Sequence, residues 1–229
     1  MDVQAMHIAN GIINGPVSAI FIAIAAAGLA VCVWRAKVDL DDRLAPMAGL
    51  VAAFIFAVQM LNIQVLPGVS GHLLGGTLAV ILVGPWVGAL CVATVLLVQA
   101  LVFADGGLTA IGLNITNMAL LGTAAAYLLV ALLLRILPRT TGGLGATALI
   151  ASVVGVVVAA MGFVVEYALG GTTELSLGAI AATMAGTHTL IGVVEGLIAA
   201  STVVTVAKVR PDLVYALRAF RAQPIKVPA

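Results

Sequence analysis

Three histidines stand in a chain that is otherwise close to hydrocarbon, and the setting of two of them suggests metal chemistry. The chain opens MDVQAMHIANGIING, with His7 directly after an internal methionine, Met6. If Met6 is the first residue of the mature protein, its free α-amine, the His7 amide nitrogen and His7 Nδ1 lie in one short segment. Amine and amide then close a five-membered chelate ring on a metal ion, and amide and Nδ1 close a six-membered one. The histidine must be second, because only there do the rings close at these sizes. A fourth nitrogen from another loop completes a plane, and His72, in VLPGVSGHLLGG, is the candidate. Four nitrogens in a plane suit Ni(II) or Cu(II), and low-spin Co(II) by extension. Displacing the amide proton ties affinity to pH. Gly68, Gly71, Gly75 and Gly76 around His72 allow close backbone approach.

Taken singly, His7 reads more simply as an interfacial residue and His72 as a residue at a helix start; the pair gains weight from its shared setting. The segment MDVQA has no apolar signal core, yet Val3-Gln4-Ala5 has the small-residue pattern of a cleavage site. Either translation begins at Met6, or processing exposes it, or residues 1–5 are a plain tail; if retained, they block the amine ligand. His188 and Glu195 are seven apart, two turns along one helical face. They read as an internal polar pair or as support behind the site, not as primary ligands. Metal-bound imidazoles usually give their other N–H to an acceptor. Asn62, Gln64, Gln99, Asn114 and Asn117 could serve, with Asn114 and Asn117 on one face, or could equally bond between helices. Asp105, in ADGG, reads as an outer turn contacting the N-terminal segment.

The elements that must position these residues are membrane spans. Of 229 residues, 63% are hydrophobic and only 8% charged, too few to cover a soluble surface. The fold class is an all-α membrane protein, a bundle of seven transmembrane helices. The apolar runs fall at about 17–34, 45–64, 72–84, 86–104, 109–135, 146–169 and 179–206. The third is short for a hydrocarbon core of roughly 30 Å. All ten Lys and Arg follow the first, fifth and seventh runs. Seven crossings put every one of them on a single, cytoplasmic face, whereas merging runs three and four would set Arg135 and Arg139 opposite Arg35. The N-terminus is then outside, with His7, the 65–72 loop, Asp105 and Glu174, and the C-terminus is cytoplasmic. The expected organisation is a tail, 1–5, a transmembrane metal-binding domain, 6–206, and a basic cytoplasmic tail, 207–229, lying on the membrane surface.

Close helix contact in lipid needs small residues. Ala19, Ala23 and Ala27, then Gly49, Ala53 and Ala57, then Gly192 and Gly196 form such stripes, expected to pack the bundle, with one available to dock a partner. The net charge of +1 suggests no nucleic-acid partner. Cys32 and Cys91 lie in apolar runs without metal or redox spacing and read as packing residues.

The blocks MHIANGIINGP, SGHLLGGTLAVILVGPWVG, LLVQALVFADGGLTAIGLNITNMALLG and GTHTLIGVVEGLI resemble the CbiM/NikM family over nearly the whole chain, Met6 to about Ser201. These are the substrate-capture subunits of energy-coupling-factor (ECF) importers for cobalt and nickel. The resemblance implies a seven-helix bundle with its N-terminal segment inserted between the outer loops, and Met6, His7 and His72 as the metal ligands. It implies no resident cofactor, only transported Co2+ or Ni2+, and a place in a bacterial or archaeal cytoplasmic membrane. It also implies a transmembrane coupling subunit, ABC-type ATPases and a small accessory membrane protein as partners. Asn10-Gly11 stands where the family often has an acidic residue before the glycine. No G-x-x-x-x-G-K-[ST] occurs, so ATP chemistry is expected on other chains and none of it here. The rival classes are a self-sufficient channel or secondary transporter, for which no inverted repeat is evident, and an intramembrane metalloenzyme, for which no H-E-x-x-H occurs. These residues do not separate cobalt from nickel; the short, unfused chain leans toward cobalt.

Overall fold

A computed structural model describes residues 7–39, 44–60, 62–66, 69–138 and 140–221; residues 1–6, Met6 included, lie outside the described residues, as do the side chains of Asn62 and Gln64. The helices are α1 (Gly15–Asp39), α2 (Leu44–Gln59), α3 (Gly76–Val83), α4 (Pro85–Val102), α5 (Leu108–Ile136), α6 (Thr141–Gly170), α7 (Leu177–Val209) and α8 (Tyr215–Arg221). Between α2 and α3 the chain forms an antiparallel hairpin, β1 (Asn62–Leu66) and β2 (Val69–His72), with Asn62 opposite His72. The chain is an all-α membrane protein apart from this hairpin. Its outward faces carry exposed Leu50, Leu101, Leu128, Leu190 and Leu197, a surface that lipid accommodates and water does not.

Seven full crossings are not what the described residues contain. Five helices, α1 and α4 to α7, are long and apolar enough to cross a membrane. The run 45–64 is helical only to Gln59, and α2 with 16 residues reaches about 24 Å. Its remainder is β1, where Ile63 and Val65 favour a strand. The run 72–84 yields an α3 of eight residues, about 12 Å long. Glycines in the left-handed region bound it, Gly75 at φ 78° and Gly84 at φ 86°, and Pro85 then opens α4. A Cβ on Gly75 would also lie 2.7 Å from the Ile55 side chain.

Every residue of α3 is buried, which makes this short helix the axis of the core. It folds back against α4 so closely that a Cβ on Gly88 would stand 3.1 Å from the Ala79 backbone. Both ends of the 72–105 stretch therefore return to one end of the bundle, where His72 and Asp105 each adjoin His7. At the opposite end, the Arg35 guanidinium lies over Trp34 and Trp86, 4.9 and 5.6 Å from their ring centroids. The Tyr215 ring fills the space that Gly84 leaves, and Val214 and Ala216 are buried. The start of the expected surface tail is thus part of the core.

Of the three small-residue stripes, only Gly192 and Gly196 pack inside the bundle, against Val153 and Leu149 of α6. The stripes on α1 and α2 are exposed. The reason on α1 is that its inner face is the other one: Gly112 of α5 lies so near that a Cβ there would be 2.4 Å from the Ile22 nitrogen. Gly112→Ala is expected to destabilise the detergent-solubilised protein by roughly 1–3 kcal/mol, because backbone cannot yield as a side chain does. Gly49→Ala, with nothing within 4 Å of the added methyl, is expected to leave the melting temperature unchanged; equal losses would place the α1–α5 contact elsewhere.

Candidate metal site

Residues 7–14 run across one end of the bundle as a strap in which polar backbone groups find partners. Ile8 N–H donates to Asn114 Oδ1 at 3.1 Å, and Gly107 N–H donates to the Ile8 carbonyl at 3.0 Å. Asn10 Oδ1 accepts from both the Thr109 amide, 3.0 Å, and the Thr109 hydroxyl, 2.7 Å. A side-chain amide carbonyl thus serves both donors of Thr109 without a negative charge. Further along, Thr172 N–H donates to the Ile12 carbonyl at 3.0 Å and Asn14 N–H to the Gly170 carbonyl at 2.8 Å. Asn14 Oδ1 then accepts from Val17 N–H at 3.0 Å, capping α1. Ile8, Ile12 and Ile13 pack onto Leu113, Val164, Tyr167 and Ile180.

The strap carries His7 under the 104–107 turn. Gly106, at φ 89°, lets the chain pass so near that a Cβ would be 2.9 Å from the His7 Cβ, and a Cβ on Gly107 would meet the Asn10 nitrogen at 2.4 Å. The two glycines of ADGG are thus required by the strap. His7 and His72 are brought together, with ring centroids 4.5 Å apart and planes tilted by 46°. Both are buried, at 9% and 5% exposure. His7 Nδ1 is 3.3 Å from Asp105 Oδ1, and neither ring nitrogen of His7 makes a hydrogen bond among the described residues. Buried polar atoms are rarely left so.

His72 differs. Its Nδ1–H donates to the Leu73 carbonyl at 2.8 Å, which fixes the tautomer and leaves Nε2 with its lone pair. Burial foremost, and the neighbouring His7 next, bring its pKa down from 6.5 to about 3. The imidazole is therefore neutral, the form that binds a metal, throughout the physiological range. Among the described residues no three His, Cys, Asp or Glu side chains form a group able to hold a metal ion. Two imidazoles alone are too few to complete a four-coordinate cage.

The supporting residues divide. Asn114 does reach the strap, through Ile8 rather than through an imidazole. Asn62 and Gln64 lie on β1 instead of in a span, with backbone partners His72 and Ser70. Asn117 Nδ2 donates to Glu166 Oε2 at 2.7 Å, away from both histidines. His188 and Glu195 bond separately: His188 Nδ1–H to the Met184 carbonyl, 2.9 Å, and Glu195 Oε2 to the Leu74 amide, 2.6 Å. Gln99 is fully buried, its side-chain amide without a hydrogen bond among the described residues. Sequence reasoning missed Gln59, which donates to the Leu74 carbonyl at 2.8 Å, and Glu166. For Glu166 the signal was present: an acid inside an apolar span asks for a partner. For Gln59 there was none beyond its polarity.

The family model for CbiM, the cobalt uptake substrate-specific transmembrane region, matches residues 7–213. A putative fused nickel transport protein NikMN of Archaeoglobus fulgidus is 37% identical over 209 residues, 91% of this chain and 68% of the relative. A cobalt transport protein CbiM of Geobacter sulfurreducens is 31% identical over 229 residues, 92% of this chain and 62% of the relative. The crystal structure of a transition metal transporter superposes with a TM-score of 0.81 at 26% identity, covering 95% of this chain and 98% of that one.

The His72 shift has a consequence for stability. Between its folded pKa of about 3 and the ordinary 6.5, the unfolded chain binds more protons there than the folded one. Stability of the metal-free protein therefore rises with pH across that window and levels off above it. His72→Gln is expected to flatten this part of the profile of melting temperature against pH; a profile parallel to that of the wild type would contradict the neutral, buried imidazole.

Proposed function

The chain belongs to the CbiM family, a multi-pass membrane component of cobalt and nickel uptake, and on that premise we propose that it captures Co2+ or Ni2+ as the substrate-binding subunit of an ATP-driven importer. The ligands are the Met6 amine, the His7 amide nitrogen and Nδ1, and His72 Nε2. One observation carries this reading: two buried imidazoles meet at 4.5 Å, one locked through Nδ1 with Nε2 keeping its lone pair and the other without a hydrogen bond among the described residues.

Capture proceeds by closing the strap. The amine and amide of the N-terminal end and the two imidazoles surround the ion, which loses its water as the strap seats. His7 Nδ1 exchanges its contact with Asp105 for the ion, and the carboxylate remains beside it to offset the positive charge. A deprotonated amide ligand releases a proton, so affinity rises with pH. The capture end faces outward in a bacterial or archaeal cytoplasmic membrane, and the end bearing Arg35 and Tyr215 faces the cytoplasm, following the positive-inside rule. The partners are a transmembrane coupling subunit, ABC-type ATPases and a small accessory membrane protein. The exposed small-residue faces of α1 and α2 support docking of another membrane helix. ATP hydrolysis on the partners then reorients this subunit and opens the strap inward.

Titration of the purified protein with Ni2+ and Co2+ by calorimetry tests the ligand set. His72→Ala and His7→Ala are each expected to lose at least about 100-fold in affinity while retaining the elution volume and helical content of the folded protein. Unchanged affinity in either variant would remove that imidazole from the site.

A further inference from the structure

The stretch from His72 to Gly75 is neither helix nor, past His72, strand, yet it is buried in the bundle. Backbone without a ladder at this depth must bond to side chains. The Leu73 carbonyl accepts from His72 Nδ1–H at 2.8 Å. The two peptide units that meet at Leu74 are each held by a helix side chain, the first of them being the one that carries the Leu73 carbonyl. Leu74 N–H donates to Glu195 Oε2 of α7 at 2.6 Å, and the Leu74 carbonyl accepts from Gln59 Nε2–H of α2 at 2.8 Å. The Gly75 amide lies close to the same carboxylate. The Gly75 carbonyl starts α3 by accepting from Ala79 N–H at 3.1 Å. Glu195 is 4% exposed and Gln59 fully buried. A carboxylate this deep in a membrane is costly unless it is well bonded, and here its 2.6 Å bond goes to the segment adjoining His72.

We propose that Glu195 and Gln59 are positioning residues for metal capture: Glu195 of α7 pins the Leu73–Leu74 peptide by its N–H and Gln59 of α2 pins the following peptide by its carbonyl, so that the Leu73 carbonyl stays where it locks the His72 ring with Nε2 left for the ion. The ring can turn only if its Nδ1–H finds another acceptor, and the carbonyl that holds it can swing only if the Leu73–Leu74 peptide comes free. Gly75, at φ 78° and against Ile55, completes the fixed turn. The effect on the ion is indirect: neither clamp residue touches it, and both act through one carbonyl. This inference rests on the reading of His72 as a ligand.

The test uses the full chain in detergent, titrated with Ni2+ alone and followed by calorimetry and by the visible ligand-field absorption band. Glu195→Ala and Gln59→Ala are expected to weaken binding about 10- to 100-fold and to shift that band. Hydrogen exchange of residues 73–76 in the metal-free protein should quicken. Glu195→Gln keeps a carbonyl acceptor for one amide and is expected to recover most of the affinity and the original band. If Glu195→Ala does not fold, Gln59→Ala carries the same expectations. Wild-type affinity, or weaker binding with an unmoved band, would overturn the clamp and leave His72 as a ligand, provided that His72→Ala is dead under the same conditions. Undiminished binding by His72→Ala would instead sink the capture reading itself.

Discussion

Backbone that is not helical has to find its hydrogen bonds within the protein once water is gone, and the whole histidine-bearing end of this bundle is built around that requirement. Two irregular stretches meet there, the strap of residues 7–14 and the turn of residues 72–75. Backbone of the bundle satisfies part of the strap, at Ile8, Ile12 and Asn14, and side chains do the rest: Asn114 of α5 accepts from Ile8, Asn10 of the strap accepts from Thr109, and Glu195 and Gln59 hold Leu74. Satisfying the backbone fixes the two chain segments, and fixing the segments sets the two imidazoles against each other at a tilt. The site is thus a by-product of hydrogen-bond bookkeeping that the membrane enforces.

The short α3 follows from the same economy of space. A helix of eight residues cannot span the bilayer, so the Gly84–Pro85 turn sends the chain straight back along α4. That return brings Asp105 and the glycines of its turn to the end from which His72 departed. The cavity left beneath α3 is closed by Tyr215 and its buried neighbours Val214 and Ala216. Glycine decides the close approaches throughout, at Gly88 against α3, Gly112 against α1, and Gly106 and Gly107 against the strap. In lipid, where apolar burial gives no drive between helices, these contacts supply the packing.

Much of this was legible in the residues. Composition alone required a membrane, the five long helices coincide with apolar runs, and the pairing of His7 with His72 follows from their shared setting and the glycines around His72. What hydropathy could not show is where an apolar run changes its backbone. Ile63, Val65 and Leu66 are as apolar as the helix before them, so the strand read as a continuation of α2. Likewise His72 to Gly75 looked like the first turn of a span. Spacing of small residues indicates a face, not its neighbour, so the stripes on α1 and α2 were assigned to an interior they do not line. His188 and Glu195 share a face, yet two helical turns separate them and each bonds elsewhere. Glu195 matters through the distant Leu74 amide, 121 positions away in the chain, a contact that no local pattern encodes.

The central claim is that main-chain nitrogens at a freed Met6, in company with two imidazoles, complete the cage that side chains alone do not form. Mass spectrometry of the mature N-terminus, coupled to Ni2+ and Co2+ titration of that same sample, bears on it most directly. Protein beginning at Met6 should bind one ion tightly, and protein still carrying residues 1–5 should bind at least an order of magnitude more weakly. Equal, tight binding by the chain that retains Met1 through Ala5 would contradict the account.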